Sequence, residues 1–203
     1  MPKIVFPLLL SLAACGAAPG EAARSAPLPT CEWCGADEAP AGGLSSEMVL
    51  AGPDEPGERL VVSGTVFESD GRTPAAGVLV YAYHTDLTGR YTRRGDETGN
   101  GRRHGRLRGW LVTGADGRYR IDTIRPAGYP GSTEPAHIHL TVRPPGGEEA
   151  WVDSIEFADD PRLTAAQRAR REGRGGSGIV EPVRGEDGVW RATRDVVIAT
   201  DTP

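Results

Sequence analysis

From Leu60 onward the chain is a series of short apolar–polar alternations separated by Gly, Pro and Asp. In LVVSGTVFE, Val62, Gly64 and Val66 alternate with Val61, Ser63 and Thr65, the period-two pattern of a strand whose faces meet different surroundings. VLVYAYHTD repeats it, with Val78, Val80, Ala82 and His84 on one side and Leu79, Tyr81 and Tyr83 on the other. The intervening SDGRTPAAG reads as a hairpin-type connection. WLVT, GADG and RYRIDTI read as strand, tight turn and strand, with Asp116-Gly117 as the turn signal. HIHLTVR and AWVDSIEFA predict two further strands, and IVEPV and VWRATRDVVI the last ones. Asp160-Pro161 predicts a helix start, with LTAAQRARRE as one short polar helix before the GRGGSG loop. Many short strands, one short helix and no strand–helix alternation predict an all-β protein, an antiparallel β-sandwich.

Ahead of Glu58 the pattern changes. MPKIVFPLLLSLAAC has one lysine, an apolar run from Ile4 to Leu12 and small residues up to Cys15, too short for a permanent membrane span and suited to a secretory signal. Leu12-Ala13-Ala14-Cys15 resembles a bacterial lipobox. Residues 1–14 are therefore expected to be a lipoprotein signal peptide and Cys15 the lipidation site. The product would be exported and membrane-anchored, facing the periplasm or cell surface; a plain signal peptide cleaved within AAPGEAA is the open alternative. Setting Cys15 aside leaves Cys31 and Cys34, an even pair in an oxidising setting, which predicts a local disulfide. CEWC lacks the βαβ context of a redox motif and the histidine of c-type haem attachment. Residues 15–57, rich in Ala, Pro, Gly, Glu and Ser, read as a flexible tether. Residues 58–203 read as one folded domain. A net charge of −5, with Lys3 the only lysine, implies no nucleic-acid surface.

Candidate chemistry concentrates in YPGSTEPAHIHLTV, residues 129–142. On a strand, His137 and His139 project from one face and Ile138 from the other. Tyr129, between Gly128 and Pro130, lies in a turn-prone context that can bring its phenol back towards them. Tyr91, after a Thr-Gly turn, completes a set of two phenols and two imidazoles. Phenolates suit a high-charge ion such as Fe(III), whereas zinc sites more often combine His with Cys or a carboxylate. Tyr81 and Tyr83 read as sheet packing, Tyr119 as a strand residue outside the site, and His84 as a surface histidine. The arginine-rich stretch from Thr92 to Arg108 reads as a loop that is solvated or steers an anionic aromatic ligand.

Taken in order, G-R-Y, DGRYRIDTIRPAGYP and PAHIHLTV resemble the intradiol ring-cleavage dioxygenases of catechols and protocatechuate, over roughly Leu60 to Pro161. The resemblance implies a two-sheet sandwich with non-haem Fe(III) held by Tyr91, Tyr129, His137 and His139. It also implies a small aromatic diol and O2 as substrates and a muconate-type diacid as product. Tyr129 would be the ligand that gives way and acts as base, and Tyr91 the one that stays. Three positions depart from the family pattern. Glu134 stands where ring-cleaving members commonly carry Arg, Gly131 where a Trp is frequent, and Ser154 where a pocket Gln appears. The expectation is an altered substrate pocket, with Arg106 or Arg108 as the substitute cation. The alternative is a surface-tethered binding module derived from the fold without chemistry. The oligomeric state is left open.

Overall fold

The computed structural model describes residues 32–171 and 173–198. The signal sequence, Cys15 and Cys31 lie outside them. In chain order the strands are β1 (Glu47–Val49), β2 (Arg59–Phe67), β3 (Leu79–His84), β4 (Arg108–Val112), β5 (Arg118–Ile124), β6 (His137–Arg143), β7 (Ala150–Phe157), β8 (Ile179–Val180), β9 (Val183–Arg184), β10 (Trp190–Thr193) and β11 (Val196–Val197). They form two sheets. One runs β1-β5-β2-β10-β9, with β11 also on β2; the other runs β4-β3-β6-β7-β8. The predicted alternations give the core: Val62, Val66 and Ile121 of the first sheet face Val80, Ala82, Ile138, Leu140 and Ile155 of the second, all buried. Each large aliphatic side chain removed from water in this way contributes about 1.5–3 kcal/mol.

The all-β sandwich is as expected, with three differences in its wiring. SDGRTPAAG and GADG do make turns, but each carries the chain from one sheet to the other, since β2 and β5 belong to the first sheet and β3 and β4 to the second. Local turn chemistry fixes a reversal without fixing the pairing partner. Four pairings are parallel: β1 with β5, β10 with β2, β11 with β2, and β7 with β8. The predicted strand IVEPV divides at Glu181-Pro182 between the sheets, because Pro182 has no N–H for a ladder. The predicted strand VWRATRDVVI divides at Arg194-Asp195, both halves lying along β2. Gly64 makes that approach possible, since a Cβ there would sit 1.9 Å from the Arg194 carbonyl oxygen.

Two α-helical turns occur among the described residues. One is α1 (Gly101–His104), inside the expected loop; the other is α2 (Ala165–Arg168), capped by Thr164, whose hydroxyl accepts from Gln167 N. The predicted helix is therefore later and shorter than LTAAQRARRE. The boundary at Glu58 also moves. Residues 32–57 hold a 3-10 turn at Ala36–Glu38 and strand β1, and Ala36, Met48, Leu50 and Ala51 are buried. This segment joins the fold through its backbone, which explains the missing periodicity. Val112 N donates to Ser45 O, Arg120 N to Ser46 O, and Leu50 N to Asp122 O. Gly35 N and Ala36 N both donate to the Glu149 carboxylate. Cys34 is disulfide-bonded, its partner lying outside the described residues. Among the described residues no helix is long and apolar enough to cross a membrane.

Candidate metal centre

Strand β6 presents Ile138 and Leu140 to the core and His137 and His139 to the outer face of the second sheet. Opposite His139 the pairing with β7 slips, Ile138 facing Ile155 and Leu140 facing Val152, so that Asp153 and Ser154 together oppose one residue. Such a bulge re-aims side chains, and here it brings Ser154 Oγ to 3.4 Å from His139 Nδ1. His137 Nδ1 lies 2.7 Å from the Pro135 carbonyl. A carbonyl can only accept, so Nδ1 donates to it and Nε2 is the ring nitrogen turned to the outer face.

The phenols arrive on two stitched loops. Asp86 organises the first: its carboxylate accepts from Thr88 N, Thr88 Oγ1, Arg90 N and Thr92 Oγ1. Burial pushes the Asp86 pKa up, but these hydrogen bonds outweigh it and leave the carboxyl at about 2. The second loop is tied on by Ala127 N donating to Asp86 O and Thr85 Oγ1 donating to Ala127 O. Gly89, at φ +75°, permits the contact, since a Cβ there would lie 2.3 Å from Gly128 O.

Tyr91, Tyr129, His137 and His139 thus come together. Tyr91 Oη is 2.7 Å from Tyr129 Oη, which is 3.0 Å from His137 Nε2 and 3.3 Å from His139 Nε2; the two Nε2 atoms are 3.0 Å apart. Burial and the neighbouring imidazoles hold His139 well below the usual histidine range, so its ring is neutral. Burial pushes both phenols up, and the Glu134 carboxylate adds to the rise at Tyr129. The neutral His139 ring, the outward-facing Nε2 of His137 and two reluctant phenols bring four donor atoms to one point, an arrangement that suits a cation. Among the described residues no three His, Cys, Asp or Glu side chains gather as a metal site.

Tyr81 and Tyr83 do pack, and they pack beneath this cluster. His139 stacks on Tyr83 at 4.5 Å, and Tyr83 on His104 at 3.6 Å. His104 Nε2 donates to Glu32 O at 2.5 Å, and its Nδ1 accepts from Tyr81 Oη at 2.7 Å. Burial lowers the His104 pKa to about 4. His84 is not at the surface. It follows Val80 and Ala82 into the core, where Nδ1 donates to Thr85 O and Nε2 accepts from Thr123 Oγ1, and burial lowers its pKa to about 4. Tyr119 lies apart from the site, donating to Arg194 O.

A cavity of about 210 Å³ adjoins the two histidines, with Glu134, Ser154, Trp151, Glu156, Arg170 and Arg171 in its lining. Glu134 and Ser154 are where the sequence suggests; Arg106 and Arg108 are not. Arg106 is paired with Glu55 and Arg108 with Glu38, so neither is the substitute cation. The arginines at the cavity are Arg170 and Arg171, from a basic run that reads as a solvated helix because its register against β7 is not a local property. A larger groove of about 840 Å³ lies elsewhere, and the charged residues lining it, Asp37 and Arg143, are paired with each other. It offers no chemistry.

A family model described as dioxygenase matches residues 39–172. Catechol 1,2-dioxygenase 1 of Acinetobacter lwoffii is 38% identical over 106 residues, 44% of this chain and 33% of that protein. The protocatechuate 3,4-dioxygenase beta chain of Burkholderia cepacia is 33% identical over 121 residues, 53% of this chain and 48% of that one. This chain thus spans between a third and a half of these relatives. Among solved structures, the dioxygenase domain of a dioxygenase carbohydrate-binding protein fusion from Streptomyces sp. SirexAA-E aligns with a TM-score of 0.59 and 27% identity. That alignment covers 80% of this chain and 96% of that one. Catechol 1,2-dioxygenase from Acinetobacter sp. ADP1 aligns with a TM-score of 0.59 at 23% identity, over 79% and 59% of the two chains. With its sandwich fold, its matched span and these relatives, the chain belongs to the intradiol dioxygenase family.

Proposed function

We propose that this protein is a non-haem Fe(III) dioxygenase that cleaves a catechol-type aromatic diol with O2 to a muconate-type diacid. The family uses iron, and Tyr91, Tyr129, His137 and His139 are the residues that would hold it here. The carrying observation is the convergence of their four donor atoms, with His137 Nδ1 tied to Pro135 O so that Nε2 faces the phenols. The chemistry the ion supplies when bound is Lewis-acid activation of the diol. Tyr129 would be the base: its oxygen lies within 3.3 Å of a donor atom of each of the other three residues, and once ionised beside the bound ion its Oη can accept the diol proton. Tyr91, more deeply buried in the loop braced by Asp86, stays in place. His137 and His139 would be the nitrogen donors, oriented by Pro135 O and Ser154 Oγ.

The test is spectroscopic. Iron-reconstituted protein is expected to show phenolate-to-Fe(III) charge-transfer colour that shifts on adding catechol, and to consume O2 only with the diol. Colourless, iron-free protein after reconstitution rejects the proposal. A second reading, a binding module without turnover, is favoured by Glu134, which lines the cavity where the family pattern commonly has a cation. Steady catechol turnover abolished by Tyr129→Phe counts against it. The N-terminal run belongs to the proposal as a lipoprotein signal, tested by labelled palmitate incorporation that Cys15→Ser should remove.

A further inference from the structure

The cavity beside the histidines has an uneven charge. Glu134, Asp153 and Glu156 supply three carboxylates and Arg170 and Arg171 two guanidiniums. Arg171 is committed to Glu156, with Nε donating to Oε2 at 2.7 Å and Nη2 donating to Oε1, and the Glu156 side chain is only 5% exposed. Glu134 Oε1 lies 3.8 Å from Arg171 Nη2, beyond hydrogen-bond reach, and its side chain is 42% exposed. Among the described residues no N–H or O–H donates to the Glu134 carboxylate; only its backbone N–H is engaged, donating to Ser132 Oγ. Asp153 is buried and accepts from Gly173 N, and Arg170 is exposed two residues beyond α2. Among the described residues, Glu134 is thus the carboxylate of the lining that is not buried and accepts no hydrogen bond.

We infer that Glu134, backed by the Arg171–Glu156 pair, selects the ring substituent of the substrate, so that the cavity takes aromatic diols bearing a cationic or hydrogen-bond-donating arm and turns away those bearing a carboxylate. This rests on the iron reading above, because the cavity matters to substrate only if the diol is held at the adjoining histidines. An ammonium or hydroxyl arm finds the acceptor that no protein donor satisfies. A carboxylate arm meets a like charge, and the Arg171 charge is already largely balanced by its bidentate pairing with the Glu156 carboxylate.

The experiment uses iron-loaded full-length protein without O2, so that nothing turns over, and reads dissociation constants from the shift of the charge-transfer band. The probes are catechol, dopamine and 3,4-dihydroxybenzoate, each titrated into wild type and Glu134→Gln. In wild type, dopamine is expected to bind tighter than catechol and 3,4-dihydroxybenzoate weaker, each by about tenfold, the size of one charge interaction at a half-exposed site. Comparing each probe between the two proteins removes its intrinsic affinity for iron, and Glu134→Gln is expected to shrink the spread to about threefold or less. Equal affinities in wild type, tightest binding of 3,4-dihydroxybenzoate through Arg170, or a spread that survives Glu134→Gln overturns the charge selection and leaves the iron reading standing. Protein that takes up no iron and gives no band with any probe overturns both.

Discussion

The two faces of β6 share one backbone and are specified in opposite ways. Inward, Ile138, Leu140 and Val142 pack into a common apolar cluster, where burial is non-directional and other aliphatic side chains of similar volume would serve. Outward, His137, His139 and Thr141 each meet a named partner at a fixed distance: Pro135 O, the Tyr129 phenol and the Glu149 carboxylate. The inner face holds the strand in place, and the outer face uses that rigidity to aim donors. Stability and chemistry should therefore separate along a single strand, residue by residue.

The strongest test of that separation is His139→Ala. It is expected to abolish the charge-transfer colour and lower iron retention at least about a hundredfold, beyond the ordinary cost of losing a group that merely orients a ligand. Its unfolding transition should stay close to wild type. The neighbouring Leu140→Ala should do the reverse, losing about 2–5 kcal/mol in urea unfolding while colour persists in the fraction that remains folded. Colour lost with Leu140→Ala under strongly folding conditions would break the comparison.

A smaller effect of pH is expected on both faces. His84 on the core side and His104 in the outer aromatic layer both have pKa values lowered to about 4 by burial. Between pH 4 and 6.5 the unfolded chain binds protons that the folded one refuses, so stability is fully present above about 6.5 and falls as the pH drops towards 4. Each histidine should cost about 2 kcal/mol by pH 5 relative to pH 7. Chemical unfolding of wild type and His84→Gln across that range reads the slope, which should be shallower in the variant. The smallest effect is expected for Thr141→Val, which deletes the 2.5 Å hydrogen bond to Glu149 at a cost of about 1 kcal/mol. Hydrogen exchange should rise first at Gly35 and Ala36, whose N–H groups share that carboxylate.

Much of this division is written in local pattern. Alternation alone marks β2, β3, β6 and β7, and it places His84 on the side of Val80 and Ala82, which is where burial follows; a surface position for His84 contradicts its own strand pattern. The His-x-His pair declares a shared face, whereas for Tyr91 and Tyr129 turn context and the ordered resemblance only suggest a place beside it, and the loops that bring them there are joined by Ala127 N donating to Asp86 O. What local pattern omits is partnership across the sheets. The turn at Asp116-Gly117 is legible, but the destination of its strands is not. Arg171 reaches the cavity through a bidentate contact with Glu156, fifteen residues away, and Arg106 and Arg108 are withdrawn by Glu55 and Glu38 from the N-terminal segment.

That segment sets a practical limit on where the chain can be trimmed. His104 is held by the carbonyl of Glu32, Trp110 Nε1 by that of Gly35, and the Tyr81 ring lies so close over Gly35 that a Cβ there would be 2.3 Å from it. A protein begun at Glu58 would keep all four proposed iron donors and lose the scaffolding behind His139, which rests on Tyr83 and His104. Its colour and pH profile would belong to a different, looser centre, and cuts meant to preserve the native one belong upstream of residue 32.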